Sequence, residues 1–389
     1  MHDSQIVYSI FLVFAGAALI ATAALFARLA LLVAYILLGV LLGPWGLDMV
    51  GDGRWIEEVA QIGIMFLLYL MGLNMVPAQL MKMLGEALGV TVASSLAFAL
   101  LGGLIALGFG YSPRAALVVG ACFMFSSTII GLKLLPTTVL HHRHTGQVIV
   151  SVLLLQDLIA IVLLLALQGY GKGGNLGVDL ARQLVNLPLL AFTVWALERW
   201  LLERLIARFD RIQEYIFLLV IAWCLGVAEL ARWLGSSHEI GAFIAGVALA
   251  SSPIARFIAE SLRPLRDFFL VLFFFSLGAS FNMGSIGQVL VPALVLAGAM
   301  LAIKPLLFRA LLVRAGERAD LALETGVRLG QGSEFALLIA VLAVESGFID
   351  PDVSYLIQLA TLLTFVVSCY LVVLRYPTPI AVSDRLRRD

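Results

Sequence analysis

The sequence predicts an all-α, polytopic membrane protein of about thirteen transmembrane helices, on three observations. Of its 389 residues, 62% are hydrophobic and 13% are charged, against roughly 45–50% and 25% in a soluble domain. A soluble globule cannot cover that much apolar surface with so few charges. Apolar stretches near the twenty residues that a spanning helix needs recur along the whole chain. Lysine and arginine also sort between alternate loops, as they do when a chain crosses a bilayer repeatedly. The net charge is zero, with no basic excess to attract nucleic acid. These observations exclude a soluble enzyme, a nucleic-acid binder and a disordered scaffold.

The candidate spans, in order, are 5–27, 30–48, 56–74, 83–109, 114–135, 145–168, 183–204, 212–233, 238–252, 264–283, 286–313, 320–347 and 352–375. The first is read as a membrane helix because the leading MHDSQ lacks the basic region of a cleavable signal. With the N-terminus outside, the inside loops hold 17 Lys and Arg, from Arg28 and Lys82 to Arg387 and Arg388. The outside loops hold 5: Arg54, Arg114, Lys172, Arg182 and Arg232. That bias supports an outside N-terminus, an inside C-terminus and an odd number of spans. Residues 376–389 then form an inside tail.

The two halves can be laid against each other, 5–168 against 212–375, with 183–204 as a linker helix. The fifth helix of each half carries a polar interruption at mid-depth: FSSTII at 125–130 and GQGSEFA at 330–336. Paired interruptions at matching positions point to the midplane site of a transporter. Close helix packing on Ser, Thr and Gly is the plainer reading of either one alone.

An ionisable residue inside a span is costly, so each one asks for a reason. Asp157 sits in SVLLLQDLIAIVLLLAL, and its neighbours a turn away, Leu153, Leu154, Ala160 and Ile161, offer no positive partner. It must pair with another helix, stay protonated or bind a cation; the plain reading is a structural ion pair with Lys304, and the reading taken here is a carboxylate that binds a proton or a monovalent cation in turn. Gln156 beside it offers a carbonyl oxygen. Lys304 is the candidate balancing charge, followed by Pro305, which frees a backbone carbonyl one turn earlier. Ser126, Ser127 and Thr128 can offer hydroxyl and unwound carbonyl oxygens to a dehydrated ion. Half-helix ends crossing there would bring opposed dipoles to the midplane. Glu334, with Gln331 and Ser333, is read as support for the second broken helix. Glu324 and Arg328 are spaced to pair one turn apart.

Other features carry less. Cys122, Cys224 and Cys369 lie in apolar stretches without metal-ligand spacing, so no metal site is expected. His141, His142 and His144 cluster in an inner loop that is most simply solvated; metal binding or pH sensing is the alternative. His238 and Glu239 open another helix without a clear role. The Gly-Tyr-Gly at 169–171 is preceded by Leu-Gln and followed by a charged, Gly-rich loop, unlike a channel filter. No HExxH, GxSxG, Walker or GxGxxG pattern is present, so neither enzymatic chemistry nor a cofactor is expected.

Six segments together resemble the membrane domain of Kef-type potassium/proton antiporters, in the monovalent cation:proton antiporter-2 family. They are GVLLGPWGL (39–47), FSSTII (125–130), LLLQDLIAI (153–161), GAFIAGVAL (241–249), LFFFSLGAS (272–280) and GQGSEFA (330–336). The resemblance implies a sodium/proton-antiporter-like fold of two inverted repeats with crossing broken helices, a homodimer scaffold and a mobile core. It implies that Asp157 and Gln156 belong to the ion site and that Lys304 faces Asp157. It implies potassium and protons as substrates, since Gln-Asp is the Kef-type form of the motif, with sodium as the alternative. A channel-like cation conduit is a more distant one. It further implies a cell inner membrane location and a cytosolic nucleotide-binding regulatory domain beyond this chain. The loop after the ninth span, SSPIARFIAESLRPLRD, is net basic where glutathione-gated members are acidic, so glutathione gating is not expected.

Overall fold

The computed structural model describes residues 2–50, 54–75, 77–133, 144–170, 176–209 and 211–378. Its regular elements are helices: α1 (His2–Phe26), α2 (Leu31–Leu42), α3 (Arg54–Asn74), α4 (Pro77–Gly108), α5 (Pro113–Phe123), α6 (Thr128–Lys133), α7 (His144–Tyr170) and α8 (Leu176–Leu197). A π-helical turn, Glu198–Leu202, joins α8 to α9 (Glu203–Phe209). Then come α10 (Gln213–Trp233), α11 (His238–Leu249), α12 (Ala255–Ala279), α13 (Ile286–Arg314), α14 (Ala319–Arg328), α15 (Glu334–Glu345) and α16 (Pro351–Arg375). His141, His142 and the tail beyond Thr378 lie outside the described residues, as do the side chains of Lys133 and His144.

Every expected span contains one of these helices, but not every span is one long helix. Among the described residues, five segments are long and apolar enough to cross a bilayer alone: Val7–Phe26, Ala87–Gly108, Gln213–Trp233, Met283–Arg314 and Pro351–Arg375. Leu31–Leu42, Pro113–Phe123 and His238–Leu249 are shorter. The spans at 114–135 and 320–347 are each split by a non-helical segment, at 124–127 and 329–333. One helix starts earlier than expected. α12 begins at Ala255 and runs through Pro264. Its first turns bury Ile258 and Leu262 one turn apart and expose Arg256 and Arg263. A charged amphipathic lead thus precedes the apolar part, and charge plus proline reads as loop in the sequence.

The chain packs as two compact units that interleave along the sequence. One holds residues 1–17, 35–82 and 168–280; the other holds 18–34, 83–167 and 281–389. In the first, Phe66, Tyr69, Leu73, Val220, Cys224 and Ala245 belong to a common core. Its helices touch backbone to backbone. A Cβ added at Gly246 would run into the Tyr69 carbonyl, and one at Gly72 into the Phe243 carbonyl. Small residues at such crossings let helices approach without a polar or aqueous layer between them.

The second unit contains most of α4 and α7, with α5, α6 and α13 to α16. Its core gathers Val90 and Phe98 of α4, Ile149, Val152 and Leu153 of α7, Phe308 and Leu312 of α13, Ala322 of α14 and Leu329. The rings of Phe98 and Phe308 meet edge-on at 5.3 Å. Both helix breaks, Asp157 and Lys304 lie within this unit.

Candidate functional site

The first break follows α5. Three residues, Phe125-Ser126-Ser127, leave the helical path before α6 starts at Thr128. Ser and Thr hydroxyls compete with the helix ladder for backbone partners, which makes such a run a weak helix interior. The backbone groups set free need other partners, because a buried orphan is costly. Gln156 supplies two of them. Its Oε1 accepts from the Ser126 N–H at 3.0 Å and its Nε2 donates to the Met124 carbonyl at 3.1 Å. The carboxamide spans the break as a substitute for the missing ladder bonds.

The serine–threonine run divides its tasks. Ser127 caps α6, its Oγ accepting from the Ile130 N–H at 3.0 Å. Ser126 donates from Oγ to the Leu329 carbonyl at 2.7 Å and so fastens the first break to the second. Thr128 donates from Oγ1 toward both oxygens of Asp157, at 3.2 Å each. Asp157 is 3% exposed. Among the described residues its carboxylate has the Thr128 hydroxyl and no ion-pair partner.

The second break runs from Leu329 to Ser333, with Gly330 and Gly332 inside it. Ser333 caps α15, its Oγ accepting from the Phe335 N–H at 3.1 Å. Glu334, 4% exposed, is the first residue of that helix, where a carboxylate suits the positive end of the helix dipole. Gln331 reaches three ways. Its Oε1 accepts from Ser368 Oγ at 3.0 Å, its Nε2 makes a long 3.5 Å contact to the Ser127 carbonyl, and its own carbonyl receives Lys304.

Lys304 departs from expectation. It was expected to face Asp157, as an ion pair or a balancing charge. Instead its Nζ donates to the Phe125 carbonyl at 2.7 Å and to the Gln331 carbonyl at 3.1 Å. It also stands 5.1 Å from the centre of the Phe98 ring. The ammonium is wholly buried and forms no ion pair with Asp157. The reason lies in the breaks themselves. α5 and α14 end just before them, and a helix C-terminus presents unpaired carbonyls and partial negative charge. The ammonium there supplies donors to two buried carbonyls that lie outside any helix ladder, and so would otherwise be costly.

Glu324 and Arg328 pair as expected, at 2.9 Å. Arg328 also donates to the Pro377 carbonyl at 2.9 Å and stacks over Tyr376 at 5.5 Å. In the other unit, Glu229 bonds Arg232 and meets His238 Nε2 at 3.1 Å. All three cysteines are free and buried. Among the described residues no group of His, Cys, Asp and Glu could hold a metal ion.

The sequence motifs point to the last helix as a span but not to its polar face. α16 turns a row of buried polar side chains inward: Ser354, Gln358, Thr361, Thr364 and Ser368. Two of them hold the second break, Ser368 through Gln331 and Thr364 through the Gly332 N–H at 2.8 Å. Their spacing of three and four residues along one face is the sequence signal that points to them.

Comparison with known proteins fits this arrangement. The family described as "Sodium/hydrogen exchanger, transmembrane" matches residues 11–373. A putative K(+) efflux antiporter, KefB, of Alkalimonas amylolytica is 31% identical over 350 residues, covering 87% of this chain and 52% of that protein. The glutathione-regulated potassium-efflux system protein KefC of Klebsiella pneumoniae is 30% identical over 381 residues, covering 96% and 60%. An iron transporter, MagA, of Paramagnetospirillum magneticum is 28% identical over 344 residues, covering 86% and 78%. This chain therefore spans between about half and three-fifths of the two potassium-efflux relatives. Among solved structures, a sodium proton antiporter of Methanocaldococcus jannaschii superposes with a TM-score of 0.69 at 18% identity, covering 95% of this chain and 96% of that one.

Proposed function

We propose that this chain, which belongs to the sodium/hydrogen exchanger transmembrane family, exchanges a monovalent cation, potassium foremost, for protons across a bilayer. The observation that carries this reading is Asp157. It is a carboxylate buried in an apolar helix, held by one threonine hydroxyl and, among the described residues, without a cationic partner. Such a group is stable when it is neutralised, by a proton or by a cation. Two ligands that neutralise one carboxylate compete for it, and competition for one site is what couples their fluxes. Thr128 Oγ1, the Gln156 carboxamide oxygen and the backbone carbonyls of the first break, each with a second lone pair to offer, are the oxygens that could replace a hydration shell.

Lys304 then serves less as the counter-charge of Asp157 than as the tie between the breaks. The cycle we propose is alternating access, in which the unit bearing both breaks carries the site from one side of the bilayer to the other. The family resemblance supports a homodimer in a cell inner membrane, and the bias of Lys and Arg toward alternate loops supports an outside N-terminus and an inside C-terminus. It also supports a cytosolic regulatory domain following this chain in the whole protein. Exchange at Asp157 alone is one proton for one cation, and electroneutral.

The test is purified protein in liposomes with a trapped pH dye and an imposed proton gradient, given potassium and then sodium. A potassium-driven pH change that disappears in Asp157→Asn supports the proposal. A response to sodium alone makes the chain a sodium/proton exchanger. Cation flux without proton movement would mean a conduit and end the antiport reading.

A further inference from the structure

We infer that Thr364 and Thr361 of α16 are positioning residues for the second break, Thr364 in the state seen here and Thr361 in another state of the transport cycle. The inference rests on the antiport reading above and adds to it the element that steers the break.

Thr364 is oriented for this task. Its Oγ1 donates to the Thr361 carbonyl at 2.7 Å, which turns a lone pair toward the Gly332 N–H, 2.8 Å away. One residue earlier, Ser368 holds the Gln331 side chain, while the Gln331 carbonyl holds Lys304. The position of Gly332 against α16 therefore sets the position of one of the two carbonyls that bind the buried ammonium.

Thr361 is the unusual member. Its Oγ1 is buried and has no hydrogen-bond partner among the described residues. A buried hydroxyl without a partner is disfavoured, and valine has the same shape without the penalty. Thr361 also lies against the break: its Oγ1 is 3.5 Å, and its Cγ2 3.1 Å, from where a Cβ on Gly332 would stand. Thr361 and Thr364 sit three residues apart on one face of the helix, about 4.5 Å along its axis. A slide of the break by roughly one turn passes the Gly332 N–H from one hydroxyl to the other. Shifts of one turn between discrete packings are an established form of conformational change. Glycine at 332 leaves room for this, since any side chain there would press on both threonines.

Three variants of the full chain test the inference: Thr364→Val, Thr364→Ser and Thr361→Val. Each is followed by cation-driven proton movement in liposomes across a pH series, by thermal melting, and by deuterium exchange of the peptide holding Gly332. Thr364→Val should raise the half-saturating cation concentration about tenfold, the worth of one hydrogen bond, and displace the pH profile. Thr364→Ser should behave as the unaltered protein. Thr361→Val should melt no lower than the unaltered protein, yet turn over about tenfold more slowly. Deuterium uptake at Gly332 should rise in Thr364→Val and not in Thr364→Ser. Thr364→Val with unaltered half-saturation and pH profile, or with unaltered uptake at Gly332, overturns the role of Thr364. Loss in Thr364→Ser equal to that in Thr364→Val does the same. An unaltered rate in Thr361→Val overturns the second station. If the unaltered protein moves no protons, the antiport reading fails, and deuterium uptake alone still decides whether Thr364 holds the break.

Discussion

Lys304 Nζ lies 2.7 Å from the carbonyl oxygen of Phe125, the second residue past the end of α5. The same ammonium reaches Gln331, just past the end of α14. Positive charge thus sits where two helices end. The carboxylates sit where two begin, Asp157 on Thr128 at the start of α6 and Glu334 at the start of α15. Each ionisable side chain meets the helix end whose partial charge it complements. The arrangement keeps Lys304 occupied and leaves Asp157 available, which is the electrostatic condition for a carboxylate that trades ligands.

Asp157→Asn should abolish cation-driven proton movement and leave the protein folded. The asparagine side chain keeps an oxygen for the Thr128 hydroxyl, so the local packing survives the change. It cannot bind and release a proton in the same range. Size-exclusion behaviour and melting temperature check the fold; a trapped pH dye checks the transport. Retained proton exchange in the variant would remove Asp157 from the mechanism.

Lys304→Met should lower the melting temperature by several degrees, because two buried carbonyls lose their donor at about 1–3 kcal/mol each. The structure makes a sharper statement through the double variant. Lys304 and Asp157 share no bond, so the shifts of Lys304→Met and Asp157→Asn should add to within about 0.5 kcal/mol. A buried ion pair would instead show coupling of about 3 kcal/mol, with the second change costing little after the first. Melting curves of the two single variants and the double variant distinguish these cases.

What the sequence reveals and conceals follows from whether the physics is local. FSSTII and GQGSEFA are legible as interruptions because their Ser, Thr and Gly content weakens a helix where they stand. Arg328 is legible as the partner of Glu324 because one turn of helix joins them. The partner of Lys304 is not legible, since backbone carbonyls leave no trace in residue type and only the folded chain brings 125 and 331 to it. The separate duties of Ser126, Ser127 and Thr128 are hidden for the same reason: each depends on what another helix presents. Thr364 and Ser368 pass for packing residues in an apolar span until Gly332 and Gln331 are seen against them. The interleaved units are equally hidden, because segments as distant as 35–82 and 168–280 pack together.

Gln156→Met should destabilise the protein more than an ordinary surface change, by about 2–6 kcal/mol. The length and volume of the side chain are kept, so no cavity forms. The Ser126 N–H and the Met124 carbonyl are nevertheless stranded in a buried site, each costing about 1–3 kcal/mol. Deuterium exchange should rise in the peptide covering 124–128 and stay unchanged in the peptide covering 329–333. Unaltered exchange at 124–128 would mean that Gln156 does not hold the break.

Gly246→Ala should be far more damaging than Gly298→Ala, although both glycines lie inside apolar helices. A methyl group at 246 would overlap the Tyr69 carbonyl and crowd the Leu73 backbone, so α11 would have to leave α3. Backbone atoms cannot swing aside as a flexible side chain can. Overpacking costs typically about 1–3 kcal/mol and more when backbone must move. At 298 a methyl group meets nothing within 4 Å, and in a helix alanine is favoured over glycine by about 1 kcal/mol. Gly298→Ala should therefore melt at or above the unaltered protein, and Gly246→Ala well below it or not fold at all. The yield of monodisperse protein and the melting temperature of each variant decide the matter. Equal behaviour of the two would mean that α3 and α11 do not touch as the structure has them.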